Sequence, residues 1–340
     1  MKRARDALLK TLAKTAFSSA LALLIVSAGA QAQSVLPIRI GWQPSGEFRF
    51  FVAQELKLFE KAGLRPEYIK FNAGPPTLAA LKSGDIDVSF LGSAPAIAGL
   101  AQGIDYKIIM PSNEGLTLSA LVARPDSGIR TLKDIKGKKI ASAKGASTYM
   151  AVLKALDLQN LTLNDIQFFD LPVPSMIPAF TNKSVDAIWV WSPWSSKLQA
   201  ENGRIVAGMK DVQIDWAQQL WVARTEWLDR QPEAARRLVK AIDFASQALK
   251  RDPAPAVKAV ATQLAIPIPM AQEILNTDHY PSLEEMVSST YRSSLTAPNG
   301  YAQGLQEQAQ FMYKQNFIKT LPDVTKAIDP RPVQAYLKTR

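Results

Sequence analysis

Two stretches of this chain, about 100 residues apart, carry the same order of short apolar strands and amphipathic helices, and that order constrains the fold more than any other feature. In the first stretch, Ile38-Arg39-Ile40-Gly41 reads as a strand. Phe48, Phe51, Val52, Leu56 and Phe59 then recur at helical spacing, and Gly63 ends the run. Strands follow at Tyr68–Phe71, Ile86–Leu91 and Tyr106–Met110, with helices at 75–82 and 94–101 between them. Pro75 suits a helix start, and Ser93 is placed to cap the second helix. In the second stretch, strands at Lys139–Ala141, Ile166–Asp170 and Val185–Trp191 alternate with helices opening at Ser147, Ser175 and just after Ser192-Pro193. Gly84-Asp85-Ile86-Asp87 and Lys183-Ser184-Val185-Asp186 head corresponding strands; Asp87 aligns with Asp186 and Ser93 with Ser192.

Alternation of this kind predicts mostly parallel sheets with helices on both faces, and its repetition predicts two α/β lobes. Ligands of open α/β sheets bind beyond the carboxyl ends of the strands, so two lobes facing each other there enclose a cleft. Ser119–Arg124 reads as a strand leaving lobe one and Leu220–Arg224 as one returning to it, the two forming a hinge. The expected division is residues 33–122 and 219–340 for lobe one and 123–218 for lobe two. Thr131-Leu132-Lys133-Asp134 resembles a capping box. From 232 to 251 a helix carries Ala235, Leu238, Val239, Ile242, Ala245 and Leu249 on one face, and the tail is expected to pack on lobe one.

The N-terminus speaks to compartment. Lys2, Arg3, Arg5, Lys10 and Lys14 precede an apolar run over Ala16–Ala28 and the small-x-small pattern Ala30-Gln31-Ala32. That order predicts a secretory signal peptide over residues 1–32, cleaved near Ala32, and a periplasmic protein. The whole chain has a net charge of +10, of which the leader takes +4, and what remains is spread without basic runs. Nucleic acid is therefore not an expected partner. There is no cysteine, which excludes disulfides, thiolate metal sites and a cysteine nucleophile, and there is one histidine, His279. With His279 in the helical tail and no second histidine, a Ser-His-Asp triad near the cleft and a His-rich metal site are both poor expectations. The expectation is a non-enzymatic monomer with no cofactor and no metal.

Candidate ligand residues follow from the helix starts. Ser45-Gly46, Gly92-Ser93 and Ser147-Thr148 sit where predicted strands hand over to helices. Such starts present unpaired N–H groups and the positive end of the helix dipole, which suits an anion. Gln43 and Asn113 follow lobe-one strands, Gly74 precedes a Pro-Pro helix start, and Tyr149 lies in the first turn after Ser147. Lys144 is the nearest cation, either beside the anion or simply solvated. Among Trp189, Trp191, Trp194, Trp216 and Trp221, Trp191 is the best placed for the cleft, to cover an alkyl or aryl tail or to cage a quaternary ammonium.

These segments resemble the solute-binding proteins of ABC importers for aliphatic sulfonates, taurine and nitrate. The resemblance rests on Ile40-Gly41-Trp42-Gln43-Pro44-Ser45-Gly46, Phe71-Asn72-Ala73-Gly74-Pro75-Pro76, Leu81-Lys82-Ser83-Gly84-Asp85-Ile86-Asp87, Leu91-Gly92-Ser93-Ala94-Pro95, Lys144-Gly145-Ala146-Ser147-Thr148-Tyr149 and Val185-Asp186-Ala187-Ile188-Trp189-Val190-Trp191-Ser192-Pro193. It implies a type II periplasmic-binding-protein fold, a membrane ABC permease as partner, and an anionic head held among loop and helix-start donors. In taurine-type relatives an acidic residue sits just before the returning strand. This chain has Gln219 there, with Asp215 close by, which turns the expectation toward an alkyl or aryl sulfonate rather than taurine. Nitrate, a quaternary-ammonium or pyrimidine-type ligand, and an enzyme or sensory module on the same scaffold stay open. An enzymatic relative that makes the thiamin pyrimidine uses a cysteine-rich motif and histidines, to which nothing here corresponds.

Overall fold

The computed structural model describes residues 34–113, 119–214, 219–277 and 279–340. The expected signal peptide, with Asp215, Trp216 and Asp278, lies outside them. Ten strands form two five-stranded sheets: β1 (Leu36–Trp42), β2 (Leu64–Lys70), β3 (Val88–Gly92), β4 (Tyr106–Pro111), β5 (Ser119–Ala123), β6 (Lys139–Ser142), β7 (Gln167–Asp170), β8 (Ala187–Trp191), β9 (Arg204–Gly208) and β10 (Gln219–Arg224). The strand orders are β2-β1-β3-β10-β4 and β7-β6-β8-β5-β9. Each sheet has a parallel trio and one antiparallel strand, β10 between β3 and β4 and β5 between β8 and β9. The two lobes are thus topological copies. β9, the counterpart of β4, has an exposed, irregular pattern that periodicity passes over.

Ser119–Arg124 corrects the expected lobe boundary. It is an interior strand of the second sheet, with Ser119 opposite Trp191 and Ala123 opposite Ala187, so 119–122 do not belong to lobe one. A strand buried on both faces, Ser-Ala-Leu-Val-Ala, has no alternation to show which sheet it joins. Both antiparallel strands begin at the edge where the parallel strands end. Ser119 and Gln219, 100 residues apart, therefore hold equivalent places.

The far ends of the two sheets carry the same carboxylate staple. Arg39 N donates to Asp87 Oδ2 (2.9 Å), and Arg39 Nη2 and Arg224 Nη2 donate to Oδ1 (2.6 and 3.1 Å). In lobe two, Lys139 N donates to Asp186 Oδ2 (2.9 Å) and Arg124 Nη2 to Oδ1 (3.2 Å). Arg224 N reaches the Asp87 carbonyl and Arg124 N the Asp186 carbonyl. Each carboxylate therefore ties the antiparallel strand to the start of its sheet's central parallel strand.

The site-bearing helices are α1 (Phe48–Glu55), α2 (Gly74–Ser83), α3 (Ser93–Ala101), α4 (Ser147–Leu158) and α5 (Val173–Thr181). The helical run expected to reach Phe59 stops at Glu55, because Lys57 turns into the left-handed region (φ 53°). In the C-terminal part, α6 (Pro232–Arg251) buries Leu238, Val239 and Ile242 and packs on α1 and the first sheet. That part continues through α7 (Pro253–Leu264), α8 (Ile268–Thr277) and α9 (Tyr301–Lys314).

Candidate functional site

A cavity of about 70 Å³ lies between the lobes at the edge where the parallel strands end. Lobe one contributes Gln43, Ser45 and Gly46 from the loop after β1, Gly74 at the start of α2, Gly92 and Pro95 around the start of α3, Asn113 after β4, and Gln219 at the start of β10. Lobe two contributes Ser119, Ala146, Ser147, Thr148, Trp191, Ser192 and Met209. Ten of the expected residues thus come together: Gln43, Ser45, Gly46, Gly74, Gly92, Asn113, Ser147, Thr148, Trp191 and Gln219.

Two expected residues do not line it. Ser93 is fully buried as the first residue of α3; Gly92 takes the N-cap position, with no side-chain cap bond. Ser93 Oγ lies 3.5 Å from Ser147 Oγ of the other lobe but is outside the cavity lining. Tyr149 turns away, its ring packed on Phe168 and Phe317 at centroid distances of 5.0 and 5.5 Å. Successive residues of a helix point about 100° apart, so Ser147 and Thr148 can face the cavity while Tyr149 cannot. Lys144 is exposed, outside the lining.

The lobe-one wall is braced from behind. Glu47 accepts from Trp221 Nε1 (3.0 Å), from Arg49 (2.9 Å on each oxygen) and from the Ser112 hydroxyl. Arg49 also donates to the Ser112 carbonyl at 2.7 Å, and its guanidinium lies 4.9 Å from the centre of the Tyr280 ring. The Tyr280 hydroxyl donates to the Gly46 carbonyl at 2.7 Å. Both members of the Glu47–Arg49 pair are buried, and a buried pair that satisfies its remaining polar atoms fixes a geometry rather than adding much stability. Here it fixes the 43–46 loop. In front, Gln219 Nε2 donates to Ser45 Oγ at 2.6 Å. In lobe two, the Ser142 hydroxyl lies 2.9 Å from Thr148 Oγ1 and 3.0 Å from the Trp189 carbonyl oxygen, seating the start of α4.

The lobes touch across the cavity. Trp191 Nε1 donates to the Pro44 carbonyl at 3.0 Å, and Ala94 N, in the first turn of α3, donates to Ser147 Oγ at 3.1 Å. A backbone donor of one lobe's helix start thus meets an oxygen of the other lobe where a ligand oxygen would be equally well received.

Among the described residues, Trp191 is the only one of the expected tryptophans in the lining. Trp189 is core, and Trp221 is buried in the first sheet against Glu47. Pro95, Ser119, Ala146, Ser192 and Met209 escaped sequence reasoning. The signal for Ser119 was present: it is Gln219 displaced by 100 residues, one more than the offset that relates Asp87 to Asp186. Among the described residues no titratable side chain lines the cavity, and no group of three or more His, Asp or Glu is placed to hold a metal ion. His279 lies in the tail, 3.9 Å from the Glu285 carboxylate, away from the cavity lining.

A sequence model of the NMT1-like family matches residues 31–265. The chain belongs to that family. One relative, a Bacillus subtilis (strain 168) protein provisionally named for aliphatic sulfonate binding, is 31% identical over 188 residues, 55% of this chain and 56% of that one. This chain thus spans little more than half the length of that relative. An Escherichia coli (strain K12) protein with the same provisional name is 26% identical over 314 residues, 90% of this chain and 93% of that one. Among solved structures, the alkanesulfonate-binding protein SsuA of Xanthomonas axonopodis pv. citri bound to MOPS superposes with a TM-score of 0.74 at 22% identity, covering 88% of this chain and 99% of that one. That likeness establishes the periplasmic-binding-protein fold for this NMT1-like chain.

Proposed function

We propose that this NMT1-like protein is the extracytoplasmic solute-binding receptor of an ABC importer and captures a small oxyanion, an alkyl or aryl sulfonate foremost. The observation that carries the reading is the interlobe cavity, walled by the starts of α3 and α4 and by serine and threonine hydroxyls. An oxyanion with several equivalent oxygens can accept from both lobes at once, which stabilises the closed arrangement by differential contacts. The site residues are the ten named above with Ser119 and Ser192. The signal-peptide pattern at residues 1–32 supports delivery to the periplasm. The names of the relatives support a sulfonate ligand. The described lining offers no acid, base or nucleophile pair for turnover, and this supports a binder over an enzyme.

The test is a thermal-shift panel of sulfonates, sulfate, nitrate, taurine, phosphonates and betaines with the purified protein. A sulfonate is expected to raise the melting midpoint in a concentration-dependent way, because ligand stabilisation follows mass action. A rise with betaines alone, or chemical turnover of the bound compound, defeats the reading.

A further inference from the structure

Four cavity-lining residues hold buried side-chain atoms without a hydrogen-bond partner: Gln43 Oε1, Gln219 Oε1, Ser119 Oγ and Ser192 Oγ. The residues are 4, 9, 6 and 1% exposed, so bulk water does not serve these atoms. A buried polar group left unpaired costs about 1–3 kcal/mol, so four around one cavity point to a ligand that pairs them. They divide by lobe and by chemistry. The hydroxyls belong to lobe two, beside the start of α4, and as donors they suit an oxyanion. The carboxamides belong to lobe one. Gln43 follows β1, and Gln219 stands opposite Gly92 in the register of β10 with β3, beside the start of α3.

A carboxamide offers an acceptor and a donor face. Gln219 spends one face on Ser45 Oγ and keeps the other. Whichever way round its amide sits, one polar atom is left for the ligand. A hydrocarbon tail would leave the Oε1 of both carboxamides unpaired, and an ammonium would want a carboxylate, which the described lining lacks. A hydroxyl both donates and accepts, so it satisfies either orientation. On the reading of this site as an oxyanion receptor, we infer that the ligand is a short oxyanion whose other end carries an uncharged hydroxyl, met by Gln43 and Gln219. The small cavity restricts such a ligand to a few carbons.

Titration calorimetry with 2-hydroxyethanesulfonate, 1-propanesulfonate and taurine tests this. The first two match in size and differ by a hydroxyl in place of a methyl. The hydroxy compound is expected to bind at least about tenfold tighter, about 1.4 kcal/mol, in line with the penalty for leaving a site's polar groups unpaired. Gln219→Leu is expected to reduce the preference to under about threefold, and Gln43→Leu serves as a second variant should the first fail to fold. Equal or tighter binding of 1-propanesulfonate to the unaltered protein overturns the inference and leaves the oxyanion receptor standing. So does taurine binding tenfold tighter than the hydroxy compound, or a preference that survives both substitutions. Failure of all three sulfonates to bind overturns the inference, and the thermal-shift panel then decides the oxyanion reading by itself.

Discussion

At Gly92 the lobes meet so closely that a single carbon matters. A Cβ there would lie 2.6 Å from Ser147 Oγ, the atom that accepts from Ala94 N. Gly92→Ala is therefore expected to hold the lobes apart and weaken ligand binding about tenfold or more, with little change in melting midpoint, because overpacking of a well-fitted contact costs about 1–3 kcal/mol. Adding Ser147→Ala removes the clashing oxygen and should recover part of the loss. Calorimetry on the two variants checks this, and unchanged affinity in Gly92→Ala would show that ligand binds without this approach. Gly92 was legible in the sequence as a helix-start glycine, but the atom that makes it obligatory comes from a helix 55 residues on. Tyr149 shows the opposite case. It shares a motif with Ser147 and Thr148, yet helical rotation takes its ring out of the cavity.

At the scale of elements, Asp87 and Asp186 explain why the repeat survives so little sequence identity. Each acid sits just before a strand, Asp87 before β3 and Asp186 before β8, and joins two other strands by their backbone N–H groups or guanidinium groups. Asp87→Asn weakens the charge-assisted bonds to Arg39 and Arg224 and is expected to cost about 1–3 kcal/mol, because the carboxylate is buried while its arginine partners are partly exposed. Chemical denaturation measures it, and a loss below about 0.5 kcal/mol would reduce the staple to decoration. Away from the cavity, α4 meets the end of α9. Tyr149 packs on Phe317, Lys154 Nζ lies 5.0 Å from the centre of the Phe311 ring, and Gln315 Nε2 donates to Asp157 Oδ1 at 3.4 Å. These contacts join the two lobes without touching the lining. If binding requires the joined arrangement, Phe317→Ala should weaken affinity about fivefold, the worth of one aromatic pair at about 1 kcal/mol, through faster dissociation. Stopped-flow kinetics reads this directly; an unchanged off-rate would separate the contact from binding.

For the whole molecule, acid is expected to act through carboxylates tied to arginine. Burial pushes the Asp87 carboxyl up, and the bonds from Arg39 and Arg224 more than reverse this, leaving it below its usual range. Arg236 first, then Arg237, hold Glu233 down to about 2 against the upward push of burial. Both groups bind protons more readily in the unfolded chain, whose carboxylates titrate near 4. Their stabilisation is therefore complete above about pH 5 and is lost as pH falls through 4 toward 2. A melting midpoint measured from pH 7 to pH 2 should stay level and then drop below about 4.5, and Asp87→Asn should flatten the drop. A midpoint that rises on acidification would contradict the assignment.

The order of strands and helices apart from β9, the two lobes and the edge that carries the cavity lining could be read from sequence, because apolar period and helix-start residues are local signals. So could ten of the lining residues, since each sits at a strand end or helix start that its own neighbours announce. The pairing of Ser119–Ala123 with β8 and β9 could not, because a strand buried on both faces carries no mark of its partners. Nor could the turning of Tyr149 toward Phe317, the bracing of Gly46 by Tyr280 from the far end of the chain, or the four unpaired atoms that specify the ligand. Those depend on which surfaces meet in three dimensions, and only the tertiary structure brings residues so distant in the chain within bonding range.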